Sequence, residues 1–132
     1  MKISQADTWF SKCVRHSKNW TCEKCGKEYS HDNGRGLDCS HIFGRKARSV
    51  RWAKENAFSL CMGCHRWWHE NPTESGIWAR MVIGDGAYDL LSEKKEQIVK
   101  VSKLEEKEIA KHYKKEYEHM VNEGSTEFTS WQ

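Results

Sequence analysis

The chain has 132 residues, with 22 Lys and Arg against 19 Asp and Glu, six Cys, seven His and seven Trp. This length fits one domain of ordinary size. The mean hydropathy is −0.90, and no stretch approaches the roughly 20 apolar residues of a membrane span. The N-terminal residues show no secretory signal, so the cysteines favour metal ligands in a reducing cytoplasm over a disulfide scaffold. We therefore expect a cytoplasmic protein without a membrane partner.

The net charge of +3 is unevenly divided along the chain. Residues 1–72 carry 13 Lys and Arg against 7 Asp and Glu, a net charge of +6, whereas residues 73–132 carry 9 against 12, a net charge of −3. The densest basic cluster contains Arg45, Lys46, Arg48, Arg51 and Lys54. Such a cluster suits a DNA backbone, where neutralised phosphates release counterions. A solvated basic loop explains the charges alone equally well, and the nearby metal-ligand residues favour DNA.

The predicted elements of the N-terminal half combine helix and hairpin. Trp9, Phe10, Cys13 and Val14 lie three to four positions apart and predict the first helix. In chain order we expect a helix over 7–20, a hairpin region over 20–43 with a loop at 32–36 and a strand at 37–43, a basic loop or short helix over 45–56, and a helix over 61–71.

The C-terminal half is predicted to be helical. A helix over 73–83 should turn Ile77, Trp78, Met81 and Val82 inward, a turn at 84–86 should follow, and a short helix should cover 87–95. A long helix begins at the capping box of Ser102 and Glu105 and ends near Asn122, before Gly124. Its charged face is interpreted as solvated. The tail shows no usable pattern.

The strongest motif is a doubled Cys-x-x-Cys sequence, formed by Cys22, Cys25, Cys61 and Cys64. A two-residue gap lets both thiolates of a tight turn bind one ion, and two such pairs complete a tetrahedral structural Zn²⁺ site. The 35 residues between the pairs exceed the usual gap of roughly 15–20, so a folded insert must separate them. A redox pair would need a βαβ context, which is absent. Cys13 is predicted to be a buried apolar residue, and Cys39 is left open.

The insert and its flanks carry an ordered set of polar residues. His41 lies on the predicted strand, Asn56 precedes the second cysteine pair, and His65 follows it directly. This order resembles the HNH pattern of ββα-metal nucleases over residues 20–72. A resemblance to phage recombination endonucleases of the NinG/Rap type extends over residues 8–121. It is carried by the segments DCSHIFGR, RW…NAFSLC, CHRWWHENP, WARMVIGDGAYDLL and EEKEIAKHYKKEYEHM. The zinc-bracketed core is also similar to that of phage endonuclease VII.

The resemblance implies an α+β fold. We expect a small zinc-bracketed ββα-metal core, with a β-hairpin and a metal-bearing helix, followed by C-terminal helices. The domain organisation expected from it is a nuclease core with an N-terminal helix over 1–72, a helical extension over 73–122 that packs on the core or forms a dimer surface, and a tail over 123–132.

Three histidines and one asparagine are the expected site residues. His41 is the expected general base, because a neutral imidazole accepts a proton near pH 7; a zinc ligand or core histidine is the alternative. Asn56 is expected to hold His41 or its loop, although a lone Asn is also an ordinary turn former. His65 and His69 stand four residues apart on one helical face, so one or both should bind the catalytic metal. The resemblance favours His65, and a surface or phosphate-contacting role stays open for His69.

Two positions depart from the resembled pattern. Many HNH nucleases have Asp or His just before the base, where this chain has Ser40, a poor ligand; NinG-like sequences also tend to have a small residue there. Asp38, Cys39 or His41 are the open alternatives as further ligands. NinG-type sequences often have Asn at the position of His65, and imidazole binds transition metals more strongly. The expected catalytic cofactor is therefore a divalent ion, Mg²⁺, Mn²⁺, Ni²⁺ or Zn²⁺, with the last three favoured.

The leading functional prediction is a metal-dependent DNA endonuclease that hydrolyses phosphodiester bonds. By resemblance, its partner is branched recombination DNA, and resolving it symmetrically would take two active sites, as in a homodimer. The alternative is a non-catalytic zinc-stabilised module that binds DNA, which leaves the histidines and Asn56 unexplained. A protein-interaction domain with a Trp-rich surface and an RNA substrate are further alternatives.

Overall fold

The computed structural model describes residues 1–31 and 34–131 of the chain. Asp32 and Asn33, part of the predicted loop, lie outside the described residues. The elements in chain order are α1 (Gln5–Ser17), β1 (Leu37–His41), a short 3-10 helix (Lys54–Asn56), β2 (Ala57–Cys61), α2 (Met62–Glu70), α3 (Pro72–Ile83), α4 (Asp85–Lys94) and α5 (Lys103–Glu123). No helix among the described residues has the length and apolarity needed to cross a bilayer. The α+β prediction is confirmed.

The first helix begins and ends earlier than predicted. Ser4 caps α1, because its Oγ accepts the N–H of Asp7 at 3.2 Å while the Asp7 carboxylate accepts the Ser4 N–H at 2.9 Å. Asn19 and Trp20 have φ angles of 54° and 55°, so α1 cannot continue to residue 20 as predicted. The Trp20 side chain is buried beside the first cysteine pair.

The hairpin was predicted over residues 20–43, but its antiparallel strands are β1 and β2, and β2 leads directly into α2. Leu37 pairs with Cys61 and His41 with Ala57, so the strand that carries His41 lies beside the strand that ends at the second cysteine pair. The predicted strand extended to Phe43, but β1 ends at His41. Beyond it, the Phe43 backbone bonds to the side chain of Asn56 instead of to a partner strand. The strand–strand–helix order therefore exists in this chain.

Two apolar clusters hold the elements together. The first joins α1, α5 and the C-terminal tail and includes Phe10, Cys13, Ile109, Tyr113, Met120 and Phe128. The second lies under the hairpin, α2 and α3 and includes Trp20, Leu37, Phe58, Leu60, Trp68 and Ala79. The tail was predicted to have no pattern, yet Phe128 is buried and the Trp131 N–H donates to the Tyr113 hydroxyl at 2.9 Å. Two aromatic residues in ten, Phe128 and Trp131, carry no periodicity, so only packing could reveal these contacts.

The predicted inward face of α3 is wrong. Ile77 and Met81 are 59% and 76% exposed, and Val82 is exposed as well, whereas Ser75 and Ala79 are buried. Trp78 does pack inward, with its ring centroid 4.7 Å from that of Phe58. The helix contacts α2 and α4 with residues other than Ile77 and Met81, so its contact surface does not follow its apolar stripe.

The long C-terminal helix follows its predicted boundaries. Ser102 Oγ accepts the Glu105 N–H at 3.0 Å, and α5 ends where Gly124 adopts a φ of 65°. The apolar side chains of Leu104 and Val121, near the two ends of α5, are exposed. The buried residues of α5 face α1, which brings the C-terminal half against the N-terminal helix.

Candidate functional site

The four predicted zinc ligands come together in space. One sulfur from each of Cys22, Cys25, Cys61 and Cys64 lies within 4.8 Å of the others. The Sγ atoms of Cys25 and Cys61, from different pairs, are 3.8 Å apart. Four thiolates about 2.3 Å from one Zn²⁺ would have sulfurs roughly 3.8 Å apart, so the cluster has the size that a tetrahedral ion requires. The cluster is therefore able to hold a structural zinc.

Backbone donors prepare both cysteine turns. Cys22 Sγ accepts the Cys25 N–H at 3.5 Å, and Cys61 Sγ accepts the Cys64 N–H at 3.4 Å at the start of α2. Burial raises the pKa of the Cys22 thiol, but backbone N–H groups, that of Cys25 foremost, outweigh it and bring the pKa to about 7. The first turn is fastened to β2 by two hydrogen bonds between Glu23 and Ser59, of 2.8 and 2.7 Å. The turn geometry thus favours the thiolate that a metal needs at Cys22, whereas burial and the neighbouring sulfurs raise the pKa of the Cys64 thiol.

The two remaining cysteines differ in position. Cys13 is fully buried, as predicted, and its thiol donates to the Tyr113 carbonyl at 3.2 Å. Burial raises the pKa of the Cys39 thiol to about 12, so this side chain stays protonated at neutral pH. Cys39 lines the cleft described next, and neither thiol belongs to the four-cysteine cluster.

All three predicted site histidines line one cleft of about 620 Å³. His41 enters it from the end of β1, and His65 and His69 enter it from α2. One wall is formed by α1 through Thr8, Ser11 and Arg15, and the rest of the lining includes Asp7, Asp38 and Arg45. The residues come from separate segments of the chain, so the cleft is a product of the fold.

His41 has a defined tautomer. Its Nε2 lies 3.0 Å from the Arg51 carbonyl oxygen, which can only accept a hydrogen bond. Nε2 therefore carries the proton, and Nδ1 keeps a lone pair. Burial lowers the pKa of His41 below its ordinary value of 6.5, with a smaller opposing effect from this hydrogen bond. The ring is consequently neutral at pH 7 and able to accept a proton.

Asn56 organises the loop between the two strands. Its buried side chain accepts the Phe43 N–H at 2.9 Å and donates to the carbonyls of Phe43 and Val50 at 2.8 and 3.0 Å. Arg51, which follows Val50, supplies the carbonyl that binds His41. Asn56 thus acts on His41 through the backbone of this loop. Among the described residues, the Asn56 side chain forms no hydrogen bond with the His41 ring.

His65 and His69 direct nitrogens at each other from one face of α2. Their Nε2 atoms are 3.1 Å apart. Two nitrogens bound to one ion at about 2.1 Å are roughly 3.0–3.4 Å apart for right-angled to tetrahedral coordination, so this spacing suits a shared cation. Asp38 accepts the His65 Nδ1–H at 3.0 Å, which leaves the lone pair on Nε2. A carboxylate behind a ligand imidazole is a frequent support in metal sites.

The other candidate ligands contribute less directly. Ser40, at the position where many HNH nucleases have a ligand, is fully buried and absent from the cleft lining. Asp38 contacts the far side of the His65 ring. Within the described residues, the four cysteines are the only group of three or more close His, Cys, Asp or Glu ligands. The cleft therefore offers two imidazoles to a cation, with room for water or substrate.

The predicted DNA-binding cluster divides into two sets, which corrects part of the prediction. Arg51 is 2% exposed and forms a bidentate pair with Asp7, at 3.0 and 2.5 Å, so it is unable to contact DNA. Lys54 donates to the Phe128 carbonyl at 3.1 Å and pairs with Glu127, which directs it to the C-terminal tail and away from the cleft. Linear charge density does not show which guanidinium is buried.

The remaining basic residues stay available to a ligand. Lys46 and Arg48 are exposed, and Arg45 lines the cleft at 3.6 Å from Asp7. Asp7, which sequence reasoning missed, also accepts the Trp52 indole N–H at 3.1 Å. Burial raises the pKa of Asp7, but Arg51 foremost among its partners lowers it below its ordinary value. Asp7 stays ionised and anchors the basic loop to α1.

Arg15 is the second residue that sequence reasoning missed. It lines the cleft from α1, outside the segment that resembles the HNH core. Its spacing from Thr8 and Ser11, seven and four residues, marks a polar stripe on the helix that could have indicated this face.

Comparison of the chain with protein-family models, curated proteins and solved structures finds no match.

Proposed function

We propose that this protein is a divalent-metal-dependent DNA endonuclease with an HNH-like core. The observation that carries the proposal is the meeting of His41, His65 and His69 in one cleft that two arginines also line, on a hairpin followed directly by a helix. A binding module has no need of a neutral buried imidazole opposite two convergent ones. The resemblance to NinG/Rap endonucleases supports the same conclusion.

In this proposal His41 is the general base. Its Nε2–H is held by the Arg51 carbonyl, so Nδ1 accepts the proton of the water that attacks phosphorus. Burial keeps the ring neutral and ready for that proton at pH 7. Asn56 holds the loop that supplies the carbonyl, which makes it a positioning residue.

His65 and His69 would hold the catalytic cation through their Nε2 atoms, with Asp38 orienting the His65 ring. A divalent ion bound there supplies Lewis-acid stabilisation of the phosphate and of the leaving oxygen. Two imidazoles favour Mn²⁺, Ni²⁺ or Zn²⁺ over Mg²⁺, which prefers oxygen ligands. The four-cysteine cluster would hold a separate structural zinc.

The proposed substrate is DNA, held by Arg45, Lys46 and Arg48. These charges lie in the loop that follows β1, and Arg45 among them lines the cleft. Branched recombination DNA and a homodimer that supplies two active sites follow from the resemblance.

The deciding experiment is cleavage of supercoiled plasmid and of a synthetic four-way junction with Mg²⁺, Mn²⁺ or Ni²⁺. Wild-type protein should cut, and His41→Ala should bind DNA with unchanged affinity while cutting 10²–10⁴-fold more slowly, roughly the contribution of a general base. His119→Ala, an exposed histidine on α5, is the matched control and should cut normally. DNA binding without metal-dependent cleavage by the wild type would favour the zinc-stabilised binding module instead.

A further inference from the structure

Arg15 is a half-buried cation without a carboxylate partner among the described residues. Its Nε–H donates to the Ser11 carbonyl at 3.2 Å, and Nη1 donates to the Leu37 carbonyl at 3.5 Å. A guanidinium has five N–H donors, so these two bonds, the ones it makes among the described residues, leave three. By contrast, Arg51 is neutralised by a bidentate carboxylate, and Arg45 lies 3.6 Å from the same group. Of the two arginines that line the cleft, Arg15 is the one with no carboxylate in an ion pair among the described residues.

The surroundings of Arg15 form a fitted slot. The guanidinium carbon lies 4.9 Å from the centre of the Trp20 ring. On another side it meets Gly34, where a Cβ would lie 2.6 Å from Arg15 Nη1 and 2.6 Å from the Trp20 ring. Gly34 also has a φ of 56°, a conformation that side chains rarely adopt. The backbone conformation and the indole thus restrict the guanidinium to one position, which lowers the entropy cost of binding a ligand there.

The position of this slot indicates the charge of the ligand. Leu37, whose carbonyl Arg15 contacts, begins the strand that ends at His41, and Asp38 beside it supports His65. The same cleft contains Arg15 and all three histidines. A planar guanidinium with free donors and no ion-pair partner among the described residues matches phosphate geometry, and the Asp38 carboxylate is close enough to act on its charge.

We propose that Arg15 binds a backbone phosphate of the nucleic-acid substrate inside the cleft, so that the N-terminal helix is part of the substrate site. This inference rests on the proposed endonuclease function and extends it, because α1 carries no residue of the HNH-like pattern. Arg15 would act together with Arg45. Arg15 precedes the HNH-like core in the sequence, whereas Arg45 lies within that core.

The test combines an arginine variant with single uncharged phosphates in the DNA. Arg15→Gln should raise KM for cleavage, and Kd for DNA in a His41→Ala background, by about ten- to a hundredfold, the range for a lost charged hydrogen bond. A series of duplexes carries one uncharged methylphosphonate each, at successive positions around the cut site. At one position this change should weaken DNA binding by the wild type without weakening DNA binding by Arg15→Gln any further. Lys12→Gln, on the other side of α1 beside Trp9, is the matched control and should show no such coupling.

A structural role alone would give a different pattern. It would lower the melting temperature or zinc content of Arg15→Gln, and the losses from variant and methylphosphonate would add at every position. If Arg15→Gln does not fold, Arg15→Lys, which keeps the charge, takes its place in the methylphosphonate scan and should respond less than wild type at the same phosphate. Unchanged KM and Kd in a folded variant, or additive losses throughout, would overturn the inference while leaving the cleavage result intact. Arg15-dependent binding by a wild-type protein that never cuts would instead refute only the endonuclease proposal.

Discussion

The four-cysteine cluster and the histidine cleft use the same α2 helix in opposite ways. At the start of the helix, Cys61 and Cys64 join two thiols from another turn and complete a set of four ligands. Directly after Cys64, His65 and, one turn further on, His69 present two nitrogens to an open cleft of about 620 Å³. Structural metal sites are closed by protein ligands, whereas catalytic sites keep a position for water or substrate. One short helix thus carries residues of two sites: a cluster that is able to hold a structural zinc, and a candidate reactive site.

Loss of one cysteine from the cluster should have the largest effect. Cys61→Ser removes a zinc ligand at the junction of β2 and α2, and structural zinc contributes on the order of 10 kcal/mol of folding free energy. We expect this variant, or the chelated wild type, to lose the N-terminal half of the fold in circular dichroism, with about one zinc fewer per chain by metal analysis. Cys39→Ser, outside the cluster, should retain zinc. Unchanged spectra after complete zinc removal would contradict the structural role of the cluster.

The buried ion pair behind the cleft should rank second. Arg51→Gln leaves the Asp7 carboxylate buried without its bidentate partner, and we expect it to lower the free energy of unfolding by about 3–5 kcal/mol in urea denaturation. Arg48→Gln, at an exposed position in the same loop, should change stability by less than about 0.5 kcal/mol but weaken DNA binding. If both variants weakened DNA binding equally at full folding, the division of the basic cluster into structural and available residues would be wrong.

The carboxylate behind His65 gives a smaller and more specific prediction. Asp38→Asn removes the anion that holds the His65 Nδ1–H, and such supporting groups contribute about 10–100-fold in metal affinity. The Mn²⁺ concentration for half-maximal cleavage should rise by this factor, whereas the zinc content of the cysteine cluster should not change. The control is Asp89→Asn, which changes an exposed aspartate of α4 that pairs with Arg80 of α3. An equal loss of zinc in Asp38→Asn would show that the two sites are not separate.

The pH profile should show the smallest effect. Because the pKa of His41 is lowered, chiefly by burial, the ring stays neutral down to a pH below 6.5 and becomes protonated only beneath that. At saturating metal and DNA, kcat should fall about tenfold per pH unit on an acidic limb whose midpoint lies below 6.5. The positive charge of Arg45 contributes to this lowering, so Arg45→Gln should move the midpoint to higher pH. A wild-type midpoint above 6.5 would argue against His41 as the base.

The sequence predicted local features where one residue type has one structural use. The Cys-x-x-Cys spacing indicated the cysteine cluster, and Ser102 with Gly124 indicated both ends of α5. The i, i+4 spacing placed His65 and His69 on one face of α2. These predictions succeed because caps, turns and helical repeats depend on neighbours only a few residues apart.

What the sequence could not predict depends on contacts between distant residues. Arg48 and Arg51 are the same residue type in the same loop. Only the ion pair of Arg51 with Asp7, 44 residues away in the chain, determines that Arg51 is buried and paired. Arg15 lies 26 residues before His41, and α1 reaches the cleft because its apolar face packs on α5, a helix close to the C-terminus. By itself, the amino-acid sequence determined the helices to within a few residues, the cysteine cluster and the helical face of two histidines, but not the second strand, Ala57–Cys61. The tertiary structure alone decided which charges face the cleft, because burial and ion pairing are properties of the packed chain and not of local spacing.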